Sequence, residues 1–228
     1  MSRVAGGCKV SEQGEVGSVA TWLIAGLSLL LAALGLAVAA AGEGIVPGDI
    51  VLARAVQRPG SPGLDTIAIF ASLVGSDYPS MIVLALTGVA LLILLGRRDL
   101  ALFLAVAAAL RAIGPFLKVL IGSPRPSVEA VVIVAKADGL GFPSGHALGA
   151  ALFYGAIAII APQVVANRFV ARSIQVAAAV AMVLIATSRV RLGVHWPSDV
   201  VGGLLFGLAT VCLLRAVFLT WWQAQLRT

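Results

Sequence analysis

The 228-residue chain contains only two histidines, and each stands beside groups suited to handling a phosphate. His195 is followed by Asp199 and preceded by Arg189. His146 closes the run Pro143, Ser144, Gly145, His146, and an earlier stretch carries Lys118 and Arg125. On a helical turn, His195 and Asp199 share one face. A carboxylate bonded to one ring nitrogen fixes the imidazole tautomer and leaves the other nitrogen as a nucleophile. Both histidines sit at expected helix starts, where free N–H groups and the helix dipole bind anions. Ser144 is placed to cap the helix after it and to offer its hydroxyl, and Gly145 lets the backbone come close to a ligand. Lys118, Arg125 and Arg189 add charge-assisted hydrogen bonds that suit phosphate oxygens better than a carboxylate.

These groups suggest in-line phosphoryl transfer. His195 attacks phosphorus. His146 protonates the leaving oxygen and then activates water, while the three cations stabilise the charge on the equatorial oxygens. A metal site is not expected. Apart from Asp199 the nearby acids are only Glu129 and Asp138, too few for a two-metal centre, and three cations would repel a zinc ion held by two histidines and Asp199. No other cofactor is implied.

The elements that must position this chemistry are apolar. The chain is 60% hydrophobic and only 11% charged, against roughly a quarter charged in a soluble domain. The apolar residues come in runs near the length that crosses a bilayer as helix. The expected fold is therefore all-α, a polytopic bundle of six transmembrane helices over about 20–41, 78–95, 100–121, 144–161, 172–187 and 197–219, because an open sheet would leave unpaired backbone groups in lipid. This membrane domain, 20–220, lies between a polar tail over 1–19 and a short tail over 221–228. The first run is read as a retained helix, since its length and the preceding Glu12 and Glu15 do not fit a signal peptide. Asp77 is placed to cap the second span, and Gly114-Pro115 to kink the third. The segment 64–74 is too short to cross and is read as an interfacial or re-entrant helix that lines a lipid entrance. A short helix is expected near 127–136. Glycine pairs Gly145/Gly149 and Gly203/Gly207 suggest close helix packing. Trp22, Trp196, Trp221 and Trp222 all fall at expected span ends, in an interfacial belt.

The net charge of +6 fits basic residues at helix ends rather than nucleic-acid binding. Setting aside Lys118, Arg125 and Arg189 as chemistry, the remaining bias puts Arg97, Arg98, Arg168 and Arg172 inside, with both termini cytoplasmic and the site on the extracytoplasmic side of the plasma membrane. Cys8 and Cys212 show no disulfide or metal spacing. Arg191 is read as a rim charge. Arg111, mid-span and one heptad before Lys118, is read either as support or headgroup contact for the site, or as a structural polar group of the bundle.

Three motifs, Lys-x6-Arg-Pro at 118–126, Pro-Ser-Gly-His at 143–146 and Ser-Arg-x5-His-x3-Asp at 188–199, match without departure in residue or spacing. In these the chain resembles the type 2 phosphatidic acid phosphatase superfamily, which also includes soluble vanadium haloperoxidases and glucose-6-phosphatase. The resemblance covers about 20–220. It implies a six-helix membrane core and metal-independent hydrolysis of a phosphomonoester or pyrophosphate through a phosphohistidine. The expected substrate is a lipid phosphate of the undecaprenyl pyrophosphate, phosphatidylglycerol phosphate or phosphatidic acid type. A phosphotransferase using the same histidine, and a non-enzymatic lipid carrier, remain as alternatives. The sequence leaves the oligomeric state open.

Overall fold

The computed structural model describes residues 17–42, 45–58, 60–76 and 78–225, with the side chains of 74–78, 222 and 223 outside that description. Asp77, Trp222, Cys8 and most of the two tails lie outside it as well. The described residues are helical, with no strand. They form α1 (Val19–Ala40), α2 (Asp49–Gln57), α3 (Pro62–Ser76), α4 (Tyr78–Leu94), α5 (Arg98–Ala109), a 3₁₀ turn (Leu110–Ile113), α6 (Gly114–Ile121), α7 (Gly145–Val164), α8 (Arg168–Arg191) and α9 (Pro197–Gln225).

Five of these helical segments are long and apolar enough to cross a bilayer: α1, the α5–α6 rod, α7, α8 and α9. α4, with 17 residues, rises about 26 Å, slightly under a typical hydrocarbon core of about 30 Å. α3 has fifteen residues, longer than the expected 64–74 segment, and exposes Ile67, Phe70 and Leu73. Leu31, Val38, Leu94 and Phe169 are also largely exposed on the outer faces of the bundle. An apolar exterior of this kind is solvated by lipid, and the chain is an integral membrane protein.

α7 is the most enclosed of the long helices and packs between α8 and α9, while α1 lies along α9. Between helices in lipid there is little hydrophobic driving force, so close backbone approach matters more. Gly203 and Gly207 supply it. A Cβ on Gly203 would stand 2.6 Å from the Ser144 carbonyl oxygen, and one on Gly207 2.5 Å from the Ala151 Cβ. The other glycine pair behaves differently: Gly149 faces Arg111, and Gly145 faces open space. Where a kink was expected at Gly114-Pro115, the helix passes through a 3₁₀ turn just before that pair.

Two expectations are corrected. No helix forms over 127–136. Ala130 and Val131 bond back to Ser127, and then the backbone N–H groups of Val134 and Ala135 donate to the Leu192 carbonyl. The segment instead forms an extended strap across the loop that carries His195. Trp196 is not in the interfacial belt. It is 2% exposed, packed with Val131, Ala186 and Val190 inside the protein. Trp22 and Trp221 do lie toward the surface.

Candidate active site

The site forms where the ends of α6 and α8 meet the starts of α7 and α9. α8 runs four residues past its expected end at 187, so Ser188, Arg189 and Arg191 belong to its last turns. The Ser188 hydroxyl donates to the Ile185 carbonyl at 2.7 Å and is spent within the helix. A tight turn through Gly193 leads to His195. Gly193 has φ of +71°, and a Cβ there would lie 2.2 Å from the Val132 carbonyl oxygen, so both conformation and space require glycine.

His195 and Asp199 are joined as their spacing suggested. Nδ1 of His195 lies 3.0 Å from Asp199 Oδ2. The same oxygen accepts from the Trp196 backbone N–H at 3.0 Å, and Asp199 is fully buried. Its main-chain carbonyl accepts from the Ser144 N–H at 2.9 Å, which fixes the start of α7 against the start of α9. On the other side of the ring, Arg125 Nη1 stands 3.3 Å from Nε2 of His195. An arginine can only donate. This makes Nε2 the acceptor and Nδ1 the proton carrier, so the lone pair of Nε2 points toward Arg125.

The His195 pKa lies well below the ordinary histidine value, first because the ring is buried, and then because Arg125, Lys118, Arg189 and His146 all repel a charge on it. The imidazole is therefore neutral at neutral pH, the state a nucleophile needs. Because the chain holds two histidines in all, ¹⁵N labelling of histidine gives a simple test. One imidazole should show the neutral Nδ1–H tautomer at pH 6.5 and hold it as the pH falls through the ordinary histidine range. A signal that charges near pH 6.5 for both rings would contradict this.

The cations are held mainly by carbonyls. Lys118 Nζ donates to Leu140 O at 2.6 Å and to Gly141 O at 2.8 Å. Arg125 donates to Gly139 O at 3.0 Å, Asp138 O at 3.2 Å and Val194 O at 2.6 Å. Arg189 donates through Nη1 to the hydroxyl of Ser72 on α3. Ser144 occupies the N-cap position of α7, but its side chain makes no capping bond. Its buried Oγ, like Asp199 Oδ1, has no hydrogen-bond partner among the described residues. Space is open above Gly145. Arg125 stands against Nε2 of His195, and the charges of Lys118 and Arg189 also act on that ring. Among the described residues no group of three or more His, Cys, Asp or Glu is close enough together to hold a metal ion.

Arg191 is not a rim charge. It is 8% exposed and pairs with Asp65 of α3 at 2.9 Å, with a further bond to Val56 O at 3.1 Å. Asp49, at the start of α2, was not visible as a site residue. Its carboxylate accepts from the Ser198 N–H at 2.8 Å and the Ser198 hydroxyl at 2.6 Å, and so caps α9 one residue before Asp199. No spacing rule links positions 149 residues apart. Replacing Asp49 with alanine should cost about 1–3 kcal/mol, because two buried donors lose their acceptor. The loss should appear as a lower thermal midpoint in detergent together with a lower kcat. An unchanged midpoint would rule out this capping role.

Comparison with known proteins agrees with the motifs. The family model described as the PAP2 superfamily matches residues 99–223. The chain is 28% identical over 193 residues to phosphatidylglycerophosphatase B of Bacillus subtilis (strain 168), covering 83% of this chain and 92% of that protein. Among solved structures, the transmembrane PAP2-type phosphatidylglycerolphosphate phosphatase from Bacillus subtilis superimposes with a TM-score of 0.74 at 26% identity, over 84% of this chain and 94% of that one. Aquifex aeolicus LpxE shares the fold, with a TM-score of 0.57 at 23% identity, over 74% of this chain and 94% of that one. The family match spans more than half of the sequence and includes all three motifs, and the chain accordingly belongs to the PAP2 superfamily, as a membrane phosphatase.

Proposed function

We propose that the protein hydrolyses the phosphate or pyrophosphate of a membrane lipid through a phosphohistidine on His195, without a metal. The observation that carries this reading is the ring of His195, held by Asp199 on one nitrogen and facing Arg125 with the other. In the first step Nε2 forms a bond to phosphorus and the phosphorus–oxygen bond to the lipid breaks. His146 gives its proton to the leaving oxygen. In the second step water attacks phosphorus, the N–P bond breaks, and His146 takes the proton from that water. Lys118, Arg125, Arg189, the Ser144 hydroxyl and the N–H of Gly145 bind the phosphoryl oxygens and stabilise their charge in the transition state. The chemistry asks no metal of the chain, since fixed cations and a helix N-terminus supply the positive charge.

The name of the Bacillus relative favours phosphatidylglycerol phosphate over undecaprenyl pyrophosphate or phosphatidic acid as the substrate type. The membrane domain runs over 20–220 between tails 1–19 and 221–228, with α4 as the sixth span. Arg97 donates to Gln163 O at 2.6 Å, which ties the α4–α5 turn to the far end of α7, away from the site. That end carries Arg97, Arg98, Arg168 and Arg172 and so faces the cytoplasm, with both termini. The site then opens on the extracytoplasmic side of the plasma membrane. The test is phosphate release in detergent from a panel of lipid phosphates, with EDTA present. Hydrolysis that survives EDTA supports the reading. Activity that disappears with EDTA and returns with a divalent metal overturns metal independence.

A further inference from the structure

Arg111 is 7% exposed in the 3₁₀ turn between α5 and α6, within a membrane span. Placing a cation there is costly, and such residues commonly serve a ligand path. Its guanidinium lies against Gly149 of α7, where a Cβ would come within 3.0 Å of Nη1, so Gly149 makes the room it occupies. Gly149 is three residues beyond His146, which is about 4.5 Å further along the α7 axis. Arg111 also lines a cavity of about 380 Å³ between α4, α5 and α7, whose other walls are apolar, including Met81, Ala85 and Ala108. Ile82 and Leu86, on its rim, are exposed on the lipid-facing side. The cavity is of ordinary ligand size.

We propose that Arg111 is a specificity-determining residue that donates hydrogen bonds to an ester carbonyl of a glycerolipid phosphate whose chain occupies this cavity. The proposal rests on the lipid phosphatase reading above. The geometry follows the substrate's own order of groups. In a diacylglycerol phosphate, with the phosphate before His195 and His146, the glycerol unit leads inward, and the first acceptors after it are the ester carbonyls, at about the 4.5 Å that separates Gly149 from His146 along α7. The acyl chain that follows meets only apolar walls. A polyprenyl phosphate has the chain but no carbonyl, so Arg111 gains nothing from it. In an apolar cavity a charged donor bonded to a carbonyl is worth more than at a surface, and a substrate lacking the acceptor leaves that donor less satisfied.

The experiment compares kcat/KM in detergent for three substrates: an ester-linked diacylglycerol phosphate, its ether-linked counterpart and a polyprenyl monophosphate. The wild type should prefer the ester over the ether by about 10-fold or more. Arg111→Met should bring the ester down to the ether value and leave the ether and polyprenyl values unchanged. Arg111→Lys, which keeps the charge but not the planar fork, should recover part of the preference. An equal fall on all three substrates would show a structural role and overturn the proposal, as would a wild type indifferent to the ester. The wild-type comparison alone decides the matter if the variants do not fold. A wild type active only on the polyprenyl substrate overturns the role of Arg111 and leaves the phosphatase reading standing. No release from any of the three overturns the role of Arg111, and the wider panel of lipid phosphates described above then decides the phosphatase reading.

Discussion

Replacing His195 with alanine should lower phosphate release by on the order of 10⁴-fold or more, with the protein still folded. Alanine removes the ring nitrogen proposed to bond to phosphorus, and water placed in the same space lacks the orientation that Asp199 and Arg125 give the ring. KM should change little, since Lys118, Arg125, Arg189 and the start of α7 remain to bind the phosphate. Quenching in alkaline detergent after mixing with ³²P-labelled substrate should trap label on the wild type, kept in base and lost in acid, and none on this variant. A variant that retained full turnover would end the nucleophile assignment.

The second large effect concerns Asp199. Changing it to asparagine should reduce kcat by about 10²–10⁴-fold. As Nε2 bonds to phosphorus the ring becomes positive, and the neutral amide no longer stabilises that charge. The amide also fits the site badly. Oδ2 accepts from both His195 and the Trp196 N–H, so an amide oxygen there leaves the NH₂ buried at the position of Oδ1, which has no partner among the described residues. The opposite orientation sets NH₂ against the Trp196 N–H and turns the His195 tautomer over, which places a proton on the nucleophilic nitrogen. Separate determination of kcat and KM, with the thermal midpoint as a control for folding, distinguishes this from general destabilisation. An unaltered kcat would remove Asp199 from the mechanism.

The groups proposed to do the chemistry were legible because their motifs are local and their helices are long. The His195–Asp199 pair needed only a spacing of four, and the apolar runs announced the spans that bring 118–146 to 188–199. What escaped depends on contacts that no local pattern encodes. Asp49 and Ser72 reach Ser198 and Arg189 across more than a hundred residues. Arg191 looked like a surface charge because its partner Asp65 lies on a different helix. Trp196 follows the statistics of tryptophan at span ends, yet packing under the strap at 131–135 buries it. The same strap was misread as a helix because a single sequence does not show that its donors would find the Leu192 carbonyl instead.

The carbonyl bonds of Lys118 and Arg125 have a consequence for the cycle of turnover. A peptide dipole holds a cation in place without neutralising it, so neither side chain gives up a carboxylate when an anion arrives. The reorganisation that would otherwise accompany each binding event was completed when the chain folded. On the mechanism proposed above, release of inorganic phosphate would be eased in the same way, because the clamp would already be in its resting shape and the next lipid headgroup would meet the charges where the last one left them.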